Sequence, residues 1–308
     1  MKISIVTPTF NEEENIVPLS NEIERIFIKL NINYEQIIID NCSTDNTQEK
    51  IRNLTKKNKK IKAIFNLHNY GQSKSPFYAI TKTNGDAVIW IDSDFQNPPE
   101  LIEELISSWK NGSQITLLRR RKTTDKFFMK IIKYFFYKFI NYLSDHSPEP
   151  NTTGVGIYDK KAIEILKNIN DPNPYLRGMV FELGFKINFL DFEQQARKSG
   201  KSKNNFFTLI DLALNGFVKH TKLLRSIVYF GFGISFILLM ISAIYLILKM
   251  IFWDTFTFGV APIVIGIFFI GSIQLFFLGI IGEYISTILS YNKNLPLIIE
   301  KERINFDQ

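Results

Sequence analysis

The sequence predicts an α/β protein: a mainly parallel sheet, then helices lying in a membrane interface, then two transmembrane helices. Three observations predict it. Short apolar runs alternate with helix-forming stretches up to Leu118, the rhythm of a parallel sheet with right-handed crossovers. Two long apolar runs follow, from about Ser226 to Trp253 and from about Val260 to Leu289. Each exceeds the roughly 20 residues that cross a hydrocarbon core. Basic, Phe-rich segments precede both runs.

Lys2–Thr7 is the first expected strand. The loop Thr7–Asn15 follows, with Glu12, Glu13 and Glu14 suited to the first turn of a helix reaching about Leu30. Glu35–Asp40 is a second strand. It ends in Asn41-Cys42-Ser43-Thr44-Asp45-Asn46-Thr47, a turn rich in side-chain caps that opens a second helix. Ile61–Asn66 is a third strand, and Asn69-Tyr70-Gly71-Gln72 is a loop before a third helix. The central strand begins at Ala87. A helix from about Pro99 to Trp109 and a strand over Gln114–Leu118 complete the alternation.

The central strand carries the chemistry. Ala87-Val88-Ile89-Trp90-Ile91 runs into Asp92-Ser93-Asp94-Phe95-Gln96-Asn97, and Pro98-Pro99 forbids continuation. Asp92 and Asp94 therefore stand at the carboxyl edge of the sheet, where open α/β sheets bind ligands. Two carboxylates that close suit a hard divalent cation shared with phosphates. Alone, an Asp-x-Asp is more often a pair of solvated aspartates in a turn, and it is the rest of the chain that reverses this.

At 308 residues the chain allows one large or two modest domains, and 45% apolar residues with 28 Phe permit a sizeable core. The net charge of +7 clusters ahead of the apolar runs, which favours a bilayer with anionic headgroups over nucleic acid. A single cysteine, Cys42, excludes an internal disulfide. Ile3–Val6 is too short for a signal peptide, so the first domain is expected in the cytoplasm. No Gly-x-Gly-x-x-Gly follows the first strand and no full Gly-x-x-x-x-Gly-Lys-Ser/Thr phosphate loop exists, which argues against dinucleotide and P-loop sites. His68, His146 and His220 lack metal-ligand spacing.

Lys126, Lys130, Lys133 and Lys138 lie near one face of a helix over about 125–143, with Phe127, Phe128, Ile131, Phe135 and Phe139 on the other. Such a basic amphipathic helix suits the membrane interface, the alternative being a surface helix packed on the sheet. Arg197–Arg225 carries seven Lys/Arg against one acid, Asp211, and holds a second such helix over 204–225. Only Asp254–Gly259 separates the spans. The basic flank puts the first span's start in the cytoplasm, so both termini are expected there. The expected organisation is a catalytic domain over 1–203, an amphipathic helix over 204–225, spans over 226–253 and 260–289, and a cytoplasmic tail over 290–308. Glu283, inside the second span, reads as functional or paired.

The chain resembles the inverting family 2 glycosyltransferases, in the polyisoprenyl-phosphate branch with bactoprenol glucosyltransferases and dolichyl-phosphate mannose synthases. The residues that carry this are Val6–Glu13, Ile39–Thr47, Asn69-Tyr70-Gly71, Asp92–Glu100, Arg197–Lys203 and Gly279–Tyr284, in the family's order. The resemblance implies a GT-A fold, a Rossmann-like catalytic domain. It implies that Pro8, Phe10, Asn11, Glu12, Asp40, Asn69, Asp92 and Ser93 bind a nucleotide-sugar. It further implies that Asp92 and Asp94 are catalytic through bound Mg²⁺ or Mn²⁺, and that Arg119, Arg197, Ser202 and Lys203 meet the acceptor phosphate. Two positions depart from the pattern. Asn41 replaces a second aspartate, and Gly154-Val155-Gly156 stands where many relatives carry Asp-Phe-Arg. Gln194-Gln195-Ala196-Arg197 is followed by Lys198, not Trp, which argues against a processive polymer synthase.

The expected activity is transfer of a sugar to polyprenyl phosphate with inversion, giving a lipid-phosphate sugar donor for surface glycans. UDP-glucose is the first choice of donor and GDP-mannose the next, both by family analogy. The expected partners are a nucleotide-sugar, the lipid and the membrane, with no nucleic acid; a homo-oligomer is left open. The rival reading is a degenerate, non-catalytic scaffold in a glycan-export complex.

Overall fold

The structure, a computed structural model, describes residues 1–121, 149, 151–195, scattered helical positions between 233 and 251, residues 260–293, and residues 295–306. The expected amphipathic helices over 125–143 and 204–225 lie outside the described residues, as do most of the first expected span and Arg197, Ser202 and Lys203.

The chain divides into two compact units. The first comprises Met1–Tyr142, His146–Gly216 and Leu295–Gln308, and the second Leu143–Asp145 with Phe217–Asn294. In the first unit the elements run β1 (Lys2–Thr9), α1 (Ile16–Leu30), β2 (Asn33–Asp40), α2 (Thr47–Lys57), β3 (Ile61–Asn66), α3 (Gly71–Thr81), β4 (Ala87–Trp90), α4 (Leu101–Lys110) and β5 (Ile115–Arg120). Then come β6 (Thr152–Asp159), α5 (Lys160–Lys167), α6 (Leu176–Glu182), β7 (Ile187–Phe192) and β8 (Glu300–Ile304). In the second unit, α7 (Val260–Asn292) is one helix of 33 residues.

The sheet order is β7-β5-β6-β4-β1-β2-β3-β8. β1–β2, β1–β4, β2–β3 and β5–β7 pair parallel. β3–β8, β4–β6 and β5–β6 pair antiparallel. The expected alternation accounts for every strand through β5. It did not foresee β6, β7 or β8. Gly154 and Gly156 weaken the strand signal of β6, yet a Cβ at Gly156 would lie 2.2 Å from Thr116 O, so the close backbone approach requires glycine there. β8, Glu300-Lys301-Glu302-Arg303-Ile304, is charged as edge strands often are and has almost no apolar signature.

Helices cover both faces, so β2 is buried at seven consecutive positions, as a strand sandwiched on both sides must be. Ile3, Ile5 and Ile89 pack with Leu19, Ile23, Ile102 and Leu105 of α1 and α4. Val6, Val88, Ile37 and Ile39 pack on the other face with Phe77, Ile80, Leu166 and Met179. α1 stops where Asn31 turns left-handed at φ 50° and its N–H caps Ile28 O and Phe27 O. In α7, Phe269–Asn292 is 24 residues long and apolar enough to cross a membrane; at about 1.5 Å per residue that spans a hydrocarbon core. It is the one such helix among the described residues.

At the amino edge of the sheet, Glu35 is buried among cations. Its carboxylate accepts from Lys2 Nζ (2.8 Å) and Ser4 Oγ (2.6 Å), and pairs with Lys62 Nζ (2.9 Å). Burial raises its pKa, but these partners outweigh burial and hold it below the ordinary value. A carboxylate held low in the fold stabilises above its unfolded pKa, and loses that contribution as pH falls through the folded value. Glu35→Gln should therefore cost about 2 kcal/mol at pH 7. The gap in thermal midpoint between the two proteins should close on acidification below the ordinary carboxylate range.

Candidate functional site

Three loops leave the carboxyl ends of β1, β2 and β4, which lie side by side. β1 is paired at Thr9↔Asp40 on one side and Val6↔Trp90 on the other. The crossovers diverge there, to β2 in one direction and β4 in the other, which makes the crevice a topological switch point. Each loop holds a non-glycine residue in the left-handed region: Asn11 (φ 55°), Cys42 (φ 63°) and Phe95 (φ 57°). Such backbone persists only where surrounding bonds over-determine it.

Those bonds are present. Asn11 N donates to Ser43 Oγ (2.8 Å), and Asn11 Oδ1 accepts from Thr44 N (2.7 Å). Glu12 N donates to Thr47 Oγ1 (2.9 Å), and Glu12 Oε2 accepts from Asn15 Nδ2 (2.6 Å). Ser93 Oγ donates to Pro8 O (3.1 Å), tying the third loop to the first. Pro8, Phe10, Asn11 and Glu12 are all partly exposed along this edge.

Asp40 is fully buried at the end of β2. Its Oδ2 accepts from Ser43 N (3.0 Å) and Gln48 Nε2 (2.8 Å), while Oδ1 has no hydrogen-bond partner among the described residues. Burial raises its pKa against the pull of Ser43 and Gln48, and Asp45 adds to the rise.

Asn41, beside it, is a hub. Its Oδ1 accepts from Tyr70 N (2.9 Å), Ser75 Oγ (2.8 Å) and Asn66 Nδ2 (3.1 Å). Its Nδ2 donates to Asn69 Oδ1 (2.7 Å) and Gly71 O (3.3 Å). A carboxylate could accept but not donate. The departure from a second aspartate thus has a structural reason: this amide shapes the Leu67–Gly71 loop from inside. Gly154 likewise faces the Trp90 ring, 2.6 Å from where its Cβ would stand, so the indole fills the space a larger residue would take.

Asp92 and Asp94 follow β4. Asp92 Oδ1 accepts from Trp90 Nε1 (2.9 Å) and Oδ2 from Asn97 Nδ2 (3.2 Å). Asp94, almost buried, accepts from Gln96 N (3.1 Å) through Oδ1. Burial, then the Asp94 charge, pushes the Asp92 pKa up to about 6, against the opposing effects of Trp90, Arg120 and Asn97. Two carboxylates that penalise each other's charge fit a divalent cation between them. No group of three or more His, Cys, Asp or Glu with metal-site geometry occurs among the described residues. A cation here would therefore draw its remaining ligands from substrate and water, the habit of Mg²⁺ on nucleotides.

Sequence reasoning missed the residues that support these carboxylates. Trp90 reads as core and Asn97 as turn, and neither type carries a chemical signature. On β5 it named Arg119 for the acceptor phosphate and did not single out Arg120. Arg119 is engaged by Asp191 (2.6 and 3.1 Å) and Glu149 (2.8 Å), over the Phe189 ring. Arg120, on the opposite face of the strand, is the arginine whose charge acts on Asp92. Finally, Gln194 Nε2 donates to Gln96 Oε1 (2.5 Å) and Gln195 N to Gln96 O (3.2 Å), so the chain just before Arg197 is fastened to the aspartate loop.

Comparison with known proteins gives a consistent result. The family model described as Glycosyl transferase family 2 matches residues 4–164. An uncharacterized glycosyltransferase of Synechocystis is 32% identical over 97% of this chain and 94% of its own length. The bactoprenol glucosyl transferase of Shigella phage SfX is 30% identical over 98% of this chain and 100% of its own length. Among solved structures, glucosyl-3-phosphoglycerate synthase from Mycobacterium tuberculosis, in complex with Mn²⁺, uridine-diphosphate and glucosyl-3-phosphoglycerate, superposes with a TM-score of 0.50. It covers 70% of this chain and 77% of its own at 18% identity, a likeness of fold.

The Asn41 hub predicts its own test. Asn41→Asp sets a carboxylate against Gly71 O and removes both donations. It should destabilise the protein by about 1–3 kcal/mol, read as a fall in thermal midpoint that Asn41→Ser does not exceed.

Proposed function

The chain belongs to glycosyl transferase family 2, and from that we propose that it moves a sugar from a nucleotide-sugar to a polyprenyl phosphate in the membrane, with inversion. The observation that carries the reading is the half-buried Asp92 with buried Asp94, on the same sheet edge as buried Asp40, at the β1 switch point. UDP-glucose is the favoured donor and GDP-mannose the next, since relatives of near-full length are bactoprenol glucosyl transferases.

In this reading Asp40 Oδ1 accepts from the nucleobase, and Pro8, Phe10, Asn11, Glu12, Asn69 and Ser93 frame the nucleoside. Asp92 and Asp94 hold Mg²⁺ or Mn²⁺, which when bound supplies Lewis-acid neutralisation of the leaving diphosphate. Arg120 adds a fixed positive charge near Asp92. Arg197, Ser202 and Lys203 receive the acceptor phosphate, delivered by a segment that Gln194 and Gln195 fasten to Gln96. Arg119, paired with two carboxylates, is better placed to hold β5 against β7 than to bind that phosphate.

The chemistry needs no protein base. A phosphate monoester has a second pKa near 6 and is largely dianionic at pH 7. One phosphate oxygen attacks the anomeric carbon, a new C–O bond forms on the face opposite the leaving group, and the nucleoside diphosphate departs with the bonding pair. The protein's part is to align the two anions and to screen their repulsion.

The sheet also bears on topology. β8, which follows α7, is hydrogen-bonded to β3 of the first unit. Whatever crosses the bilayer between Phe192 and Glu300 must therefore cross an even number of times. One described helix is long enough, and in this reading the apolar run over 226–253 supplies the second crossing. We read both termini and the catalytic domain as cytoplasmic.

Asp94→Ala should lower transfer from UDP-glucose to undecaprenyl phosphate by on the order of a thousandfold with the thermal midpoint unchanged. Near-normal turnover at saturating Mn²⁺ would remove the carboxylate pair from the reaction. For topology, Thr255→Cys should react with an impermeant maleimide in intact cells, whereas Gln308→Cys should react only after permeabilisation. The native Cys42 serves as the cytoplasmic control, and external labelling of Gln308→Cys would refute the two-span arrangement.

A further inference from the structure

The loop Leu67–Gly71 contains Asn69 of the nucleotide reading, and it is held from two sides. From inside, the Asn41 amide binds Tyr70 N, Asn69 Oδ1 and Gly71 O. From outside it meets a segment 229 residues away in sequence: Ile299 N donates to the Tyr70 hydroxyl (3.0 Å). Leu67 N donates to Ile299 O (3.0 Å) in return. One residue of the returning chain thus grips both ends of the loop with its two backbone groups.

The grip is anchored on each flank. Ile298 is buried in the core cluster against which Tyr70 and Phe306 pack. β8 pairs with β3 from Ala63↔Ile304 to Asn66↔Glu300. Arg52 pairs with Glu302, and Asn305 Nδ2 donates to Thr55 O (2.8 Å) and Ile61 O (2.8 Å). By contrast the loop is held mainly by these outside contacts. Leu67, His68 and Asn69 are exposed, and the tilted contact of the His68 ring on Tyr70, at 3.7 Å between centroids, lies within the loop. Gly71 sits at φ +88°, where a side chain would be strained.

We propose that Tyr70 is a positioning residue, and that its hydroxyl bond to Ile299 makes the chain beyond the last apolar helix part of the donor-nucleotide site. The bond fixes the loop from outside while Asn41 fixes it from inside, so that Asn69 meets the nucleotide in a set conformation. This rests on the reading of Asn69 and Asp40 as nucleotide-binding. A preorganised loop lowers the ordering cost of binding, so its loss appears in affinity and not in the chemical step.

The test uses the full-length protein in detergent. Tyr70→Phe deletes the hydroxyl and keeps the ring. Ile299→Pro deletes the N–H and keeps the carbonyl that Leu67 uses. The probe is UDP with Mn²⁺, and GDP in a second series, by titration calorimetry. Each variant should weaken nucleotide binding by about fivefold, the size of one neutral hydrogen bond, with kcat at saturating donor unchanged. The double variant should bind no worse than the weaker single, because both substitutions break the same bond. Unchanged nucleotide affinity in both variants, with a lower thermal midpoint, would overturn the proposal and leave β8 a structural strand. Additive losses in the double variant would overturn it as well. If the unaltered protein bound neither UDP nor GDP, the nucleotide reading itself would fail, and the positioning role with it.

Discussion

Everything at the site depends on where β1 sits. It pairs with β2 on one side and β4 on the other, both parallel, so three chain ends emerge together at one edge. Asp40 and the Asp92–Asp94 pair come from different strands but share that edge. Backbone hydrogen bonds set this proximity, and loops serve only to finish it. Ile91 N, donating to Val6 O at 3.0 Å, carries the pairing one residue past β4, up to Asp92 itself. Register is the controlling variable, since a slip of one residue would turn every side chain to the opposite face.

The two adjacent arginines of β5 show that rule at small scale. Arg119 and Arg120 look interchangeable as a basic pair, yet the pleat sends them to opposite sides of the sheet. One is absorbed by Asp191 and Glu149 at the β5–β7 end. The other acts on Asp92. Net charge is therefore a poor guide here to which cation serves the site, and the phase of the strand decides it.

Much of the first half of the fold was legible because its signals are local. Ile61–Asn66 was read to the residue, since an apolar run bounded by lysines and a polar loop has few alternatives. The Asp-x-Asp before Pro98-Pro99 was legible because proline ends a strand wherever it occurs. What escaped was what depends on distant partners. β6 is glycine-rich because of Thr116 and Trp90, which lie far away in sequence. Asn41 looked like a defect in a motif because its five partners belong to other elements. β8 carries the weakest signal, being polar on both sides of an edge, and only β3 gives it a reason to be a strand.

The return of β8 to β3 has a consequence in time as well as in space. β3 is complete at Asn66, but its outer neighbour begins at Glu300, and the ribosome must add everything between. At about 5–20 residues per second that interval is roughly ten to fifty seconds. Throughout it, the nascent sheet presents an uncapped row of backbone donors and acceptors, a template for any passing strand. The apolar helix α7 is made within the same interval. Completion of α7 and protection of the edge are therefore sequential events on one chain: a nascent chain stalled after α7 has, for that period, a sheet open to its neighbours.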